Sequence, residues 1–241
     1  MPMFIPFGFQ VDIWFFLCIG AILLSLIASL VVKATFNKYN RVQTRSGRTA
    51  AAIAREMLDD NGLHNVQVVE HPGTLSDHYD PRSQTVALSQ AVYSNSTVGA
   101  IGVAAHEVGH AIQHATGYVP IKVRHAIFPV VSFSTRFWYI LLIAGIFMEA
   151  SDELMGLGGR LIMAAILLYA FGVVFQLVTL PLEIDASARA MRTITAKEYL
   201  VGKEVTGARK VLGAAAFTYL AALIASLMQL LRLLARTRGR R

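Results

Sequence analysis

Residues 104–117 read AAHEVGHAIQHATG and place three histidines and a glutamate at helical spacing. On an α-helix, positions four apart are rotated by only about 40° from each other. His106 and His110 therefore project from one face, one turn apart, a spacing that lets both imidazoles reach one zinc ion. Glu107 follows the first histidine and would sit beside the open position of the metal. There it can take a proton from a zinc-activated water and pass it to a leaving amine. Zinc lowers the pKa of such a water towards ~7, so hydroxide becomes available at neutral pH. The plain alternative is a pair of helix-face histidines in a polar cluster. Two features favour metal: small residues flank the motif and allow close helix packing, and an acidic helical segment follows later in the chain.

A catalytic zinc site normally takes three protein ligands and keeps one position open. His114 lies a further turn along the same helix, but three successive turns span too far for one ion, so a supporting or surface place is expected for it. Glu183, in LPLEIDASARA, is the stronger candidate for the third ligand. A carboxylate at a membrane edge is costly unless it is bound or solvated. Its ordinary alternative is an acid at a helix start, favoured by the helix dipole. The single cysteine, Cys18, excludes an internal disulfide and a thiolate metal site.

The elements that must hold these residues are mostly apolar. Of the 241 residues 55% are hydrophobic and only 15% charged, with a mean hydropathy of +0.52. A soluble domain carries about 25% charged residues, so the balance points to a membrane protein. Residues 13–32, 161–182 and 211–231 are uncharged, and each run matches the roughly 20 helical residues that cross the hydrocarbon. A fourth run, 126–148, is long enough but contains Arg136. The first run reads as an anchor rather than a cleaved signal, since no Lys or Arg precedes it and Lys33, Lys38, Arg41, Arg45 and Arg48 follow it. Net charge is +7, with Arg232, Arg236, Arg238, Arg240 and Arg241 after the last run. That placement favours anionic lipid headgroups over nucleic acid.

These readings give a mainly α integral membrane protein with four transmembrane helices and a small α+β zincin-like portion carrying the HExxH helix. The expected organisation is an anchor over 1–32, a water-facing α+β portion over 33–125, a transmembrane hairpin over 126–182, a helical segment with the third ligand over 183–210, and a last span with a basic tail over 211–241. Within the water-facing part, Ser46 is a plausible N-cap for a helix that Asn61-Gly62 ends, 65–71 and 85–89 read as short strands, and GTLSDHYDPRSQ between them reads as a loop. Residues 96–115 read as a helix capped by Ser96 or Thr97 and ended at Gly117.

Beyond HExxH, the strings HEVGHAIQHA, LSDHYDPRSQTVALS, FQLVTLPLE and GARKVL resemble the YugP-like neutral zinc metallopeptidases of bacterial membranes, over nearly the whole chain. More distantly the chain is similar to the membrane gluzincins, which include the prenyl-protein proteases and the heat-shock protease HtpX. There a Glu-x-x-Ala-Asp helix supplies the third ligand. The resemblance implies that Glu183 is that ligand and that Ala186 matches the alanine, while Ser187 stands where those relatives place an aspartate. That aspartate orients a metal-bound histidine. Here Ser187 could accept the same bond more weakly, or Asp185 could do so from another angle. In such peptidases an edge strand also binds the substrate backbone. Residues 85–89 are the candidate, with His78 and Tyr79 as oxyanion donors. Arg189 and Arg136 could pair with acids near the metal or bind a substrate carboxylate; for Arg136, inside a span, a buried ion pair is the main alternative.

Two crossings separate the HExxH helix from Glu183, which returns both to one side. Nine Lys and Arg fall in 33–125 and six in 181–210, against Arg160 alone between the second and third runs, so the site is expected at the cytoplasmic face of the cell membrane. The arginines of the tail argue the other way. The expected function is a membrane-embedded, zinc-dependent endopeptidase with one zinc per chain, acting on membrane-associated or unfolded polypeptides. The expected partners are lipids and a membrane protein or a second copy. The rival is a zinc-stabilised membrane scaffold, disfavoured because structural zinc sites close with four protein ligands. A transporter is disfavoured because three spans carry no ionisable residue.

Overall fold

The computed structural model describes residues 3–5, 9–11, 13–151 and 154–238. The chain order is β1 (Met3–Ile5), β2 (Phe9–Val11), α1 (Ile13–Tyr39), α2 (Ala50–Asp60), β3 (Gln67–His71), β4 (His78–Asp80), β5 (Thr85–Ser89), α3 (Gln90–Tyr93), α4 (Val98–Ala115), α5 (Val119–Glu149), α6 (Met155–Ala196) and α7 (Lys203–Arg238). Among the described residues, four helices are long and apolar enough to cross a membrane: Ile13–Tyr39, Val119–Glu149, Gly156–Ala196 and Lys203–Thr237. The protein is therefore a mainly α membrane protein with a small α+β portion. Large apolar side chains such as Leu30, Phe147 and Leu167 stand exposed along these helices, the pattern of surfaces that meet lipid.

The chain divides into two compact units. The first comprises Met1–Ile27, Val123–Thr179 and Tyr219–Arg241, and it holds most of the apolar stretches of the long helices. Within it α5 and α6 come together closely: a Cβ on Gly158 would lie 2.5 Å from the backbone nitrogen of Glu149, so no larger residue fits there. Trp138 and Tyr169 meet edge to face with centroids 4.8 Å apart.

The second unit, Ala28–Lys122 and Leu180–Thr218, carries the histidine motif. Its core is built from α2, the sheet and α4. Ala50, Ile53, Ala54, Met57 and Leu58 recur at helical spacing and are all buried, so α2 turns one apolar stripe towards α4. Val86 and Leu88 of β5 and Ile101, Ala104 and Val108 of α4 join the same core. Fully burying each large aliphatic side chain contributes about 1.5–3 kcal/mol. Thr49, rather than Ser46, caps α2, accepting from the Ala52 N–H at 3.3 Å. Thr97 caps α4 in the same way through Ala100.

The sheet has the order β3-β5-β4, with β3 parallel and β4 antiparallel to β5. Two expectations change here. Residues 85–89 form the central strand, not an edge. The segment read as a loop contributes β4, three residues too short for a periodic signal, and β4 is the strand at the edge that packs against α4. A third change concerns α6. It runs unbroken from Met155 to Ala196 through Pro181, so Glu183 lies inside a continuous helix and not at the start of a new one. The dipole explanation for that acid therefore falls away. Proline removes one backbone bond, the one that Leu177 O would accept, and membrane helices tolerate this better than soluble ones.

Candidate metal centre

α4 carries His106 and His110 one turn apart, and their rings meet edge to face with centroids 4.7 Å apart. α6 brings Glu183 against both. Its Oε2 lies 3.2 Å from His106 Nε2 and 3.4 Å from His110 Nε2. One donor atom from each of the three residues falls within 4.8 Å of the others. The approach depends on small residues. A Cβ on Gly109 would stand 2.6 Å from Ala186 O, so glycine is what lets the backbones of α4 and α6 come so close.

The hydrogen bonds around the histidines fix which nitrogen faces inward. Gln113 is fully buried and sits one turn beyond His110. Its Nε2 donates to Leu182 O and to Asp185 Oδ2, both at 2.8 Å. Neither partner can donate, so the amide oxygen is left to face His110 Nδ1 at 3.0 Å. His110 must then carry a proton on Nδ1, which leaves Nε2 as the atom that faces Glu183. His106 Nδ1 likewise lies 3.1 Å from Ser187 Oγ, with Nε2 facing Glu183. Three electron-pair donors thus converge in a pocket where Glu183 is 3% and His110 9% exposed. Burial opposes the charge of Glu183, but the bonds from both imidazoles outweigh it and hold its carboxyl well below the usual range, so the pocket keeps an anion that a metal ion or an imidazolium can balance. Burial alone would lower the His110 pKa, but Glu183 and the charge of Glu107 outweigh it and raise it, so the pocket favours positive charge. Two imidazoles and a carboxylate are the donor set that suits zinc with an open position.

Glu107 is 8% exposed on the same helix. Asp185 does not touch a histidine directly; it reaches His110 through Gln113, and its Oδ2 also accepts from Arg189 Nε at 2.6 Å. The Arg189 guanidinium stacks over the Tyr118 ring, 5.5 Å from its centroid. Tyr79 on β4 approaches His114, with its hydroxyl 3.5 Å from Nδ1. Burial raises the Tyr79 pKa, so its hydroxyl keeps its proton at neutral pH. His78 bonds Ser76 O in the β3–β4 connection at 2.8 Å and packs edge-on against His71 at the end of β3. Arg136 lies on α5 in the other unit and is exposed. Gln113 was not singled out in the sequence. Its signal is faint: a polar residue three positions after a candidate ligand, on a helix face that is otherwise apolar.

Residues 14–238 match the model of a family described as "putative neutral zinc metallopeptidase". The chain belongs to this zinc metallopeptidase family. It is also 46% identical over 220 residues to the protein named "putative membrane protease YugP" of Bacillus subtilis (strain 168), covering 91% of this chain and 94% of that one. No solved structure matches the chain. Family membership implies zinc, and the convergent donors of His106, His110 and Glu183 fit that ion.

Proposed function

We propose that the protein is a membrane-embedded endopeptidase that hydrolyses peptide bonds of membrane-associated or unfolded polypeptides at the His106–His110–Glu183 centre. The observation that carries this reading is the inward aim of both Nε2 atoms at one carboxylate oxygen, with both Nδ1 atoms engaged elsewhere. When bound, zinc supplies a Lewis acid and lowers the pKa of water at the open position. Glu107, the residue after His106, takes the proton of the attacking water and returns it to the leaving amine. Ser187 and Gln113 keep the two imidazoles in the tautomer that leaves Nε2 free.

The substrate backbone adds to the outer edge of β4, the strand beside α4, as peptides add to open sheet edges. Tyr79 lies on that strand, and its protonated hydroxyl is the candidate donor to the developing oxyanion. The contacts of His78 with Ser76 and His71 make it the weaker of the two candidates. The excess of Lys and Arg flanking both halves of the site supports a cytoplasmic active site in the cell membrane.

The test is zinc content together with cleavage of an unfolded protein by purified wild type, Glu107→Gln and Glu183→Ala. Zinc kept but cleavage lost in Glu107→Gln, with zinc lost in Glu183→Ala, supports the reading. Wild type that binds no zinc overturns it. Zinc-loaded wild type that cleaves nothing favours the scaffold.

A further inference from the structure

We propose that α5 presents a docking face, centred on Arg136, for a transmembrane helix of another protein that carries an aspartate or glutamate at mid-bilayer depth. Lys122, Arg124 and His125 precede the apolar run 126–148 and Glu149 follows it, so both ends of the run are pinned by charge. Arg136 then lies about 15 Å along the helix from one end and about 18 Å from the other, close to the middle of the hydrocarbon. A fully extended arginine covers less than half of that distance, so it cannot bring its charge to either interface. The residue is exposed on the helix surface. Among the described residues none forms an ion pair with it.

A cation at this depth is costly unless it meets an anion. Its surroundings form a stripe: Ser132, Phe133, Arg136, Tyr139, Ile140 and Ile143 recur at helical spacing, and all are exposed. Ser132, Arg136 and Tyr139 thus give one polar line on a face otherwise suited to lipid. A second copy of this chain cannot neutralise the charge. Residues 13–32, 126–148, 161–182 and 211–231 contain no Asp or Glu, so self-association through this face would place arginine beside arginine. The complementary chemistry is a foreign helix with one carboxylate near its midpoint, which would form a charge-assisted bond in a medium with no competing water.

The test needs no catalysis, so its failure leaves the peptidase reading untouched. Full-length protein in phosphatidylcholine vesicles is labelled and mixed with a lysine-flanked Leu/Ala transmembrane peptide that carries a single central Glu. Energy transfer should report association about tenfold tighter than for the same peptide with Leu at that position. Arg136→Leu should erase the difference, and Arg136→Glu should transfer the preference to a peptide with a central Arg. Arg136→Leu puts an apolar group on an exposed apolar face, so it should fold and melt no lower than wild type. Equal binding of the Glu and Leu peptides overturns the proposal. So does a Glu preference that survives in Arg136→Leu, or self-association of the wild type that depends on Arg136.

Discussion

His106 Nδ1 lies 3.1 Å from the Oγ of Ser187, a hydroxyl on the facing helix one turn after Glu183. The contact ties the ligand residues of α4 and α6 together: the turn that offers the carboxylate also holds the imidazole that shares it. A hydroxyl accepts this bond without adding charge, so it orients His106 but raises its basicity less than a carboxylate would. Removing a partner of a metal-bound histidine costs 10–100-fold in metal affinity. Ser187→Ala should fall near the lower end, about tenfold, read by competition with a fluorescent zinc chelator. Ser187→Asp should match or exceed wild type. An unchanged affinity in Ser187→Ala would show that His106 is held by packing alone.

Gln113 should matter more than its plain appearance suggests. It is fully buried and serves His110, Leu182 O and Asp185 at once. Gln113→Leu keeps the bulk but leaves a ring N–H, a carbonyl and a carboxylate without that partner. Asp185 keeps Arg189 and Leu182 O stays within the α6 ladder, so the His110 N–H is the group left unsatisfied, at about 1–3 kcal/mol. A loss of that size is expected, visible as a lower Tm and as zinc released at a lower chelator concentration. Retention of both would mean that water takes over that N–H.

A methyl group at Gly109 would test the spacing of the ligand helices directly. Its Cβ would stand 2.6 Å from Ala186 O, and that oxygen belongs to backbone that cannot swing aside. Overpacking of this kind costs about 1–3 kcal/mol, and the separation of α4 from α6 should also draw Glu183 away from both histidines. Gly109→Ala is thus expected to lose zinc before it loses its helical circular dichroism. Gly213→Ala is the control, since its Cβ would meet nothing within 4 Å. It should be neutral or raise stability by up to about 1 kcal/mol.

What could be read from the sequence follows from how local each signal is. His106 and His110 stand out because one helix brings them together, and the apolar runs because length alone suffices to cross a bilayer. Glu183 could be proposed from a carboxylate at the edge of a span and from the family resemblance, and the two crossings that return it to the side of the histidines agree with that. Gln113 escaped notice because its partners Leu182 and Asp185 are 69 and 72 residues away. β4 was hidden because a strand of three residues beside Asp80-Pro81 looks like a turn, and its pairing with β5 is a tertiary effect. The join at Leu182–Glu183 misled for the opposite reason. A change from apolar to charged sequence marks the edge of the membrane, and a helix has no need to stop there.

Metal removal should separate the two acids of the site. Glu183 is 3% exposed and its Oε2 faces both imidazoles, so removing the metal takes away the ion that joins the three donors. A ligand that binds only the folded state stabilises it by about 2.7 kcal/mol at a concentration of 100 Kd. Chelation of zinc from the wild type should therefore lower the Tm by several degrees, and added zinc should restore it. Glu183→Gln keeps the shape and removes the charge. It should bind zinc poorly and melt at one temperature with or without chelator. Glu107→Gln leaves all three donors in place, so its chelator-dependent shift should equal that of the wild type although cleavage is lost. A Glu107→Gln protein whose Tm no longer responds to zinc would make Glu107 part of the binding set, and a different residue would have to serve as the base.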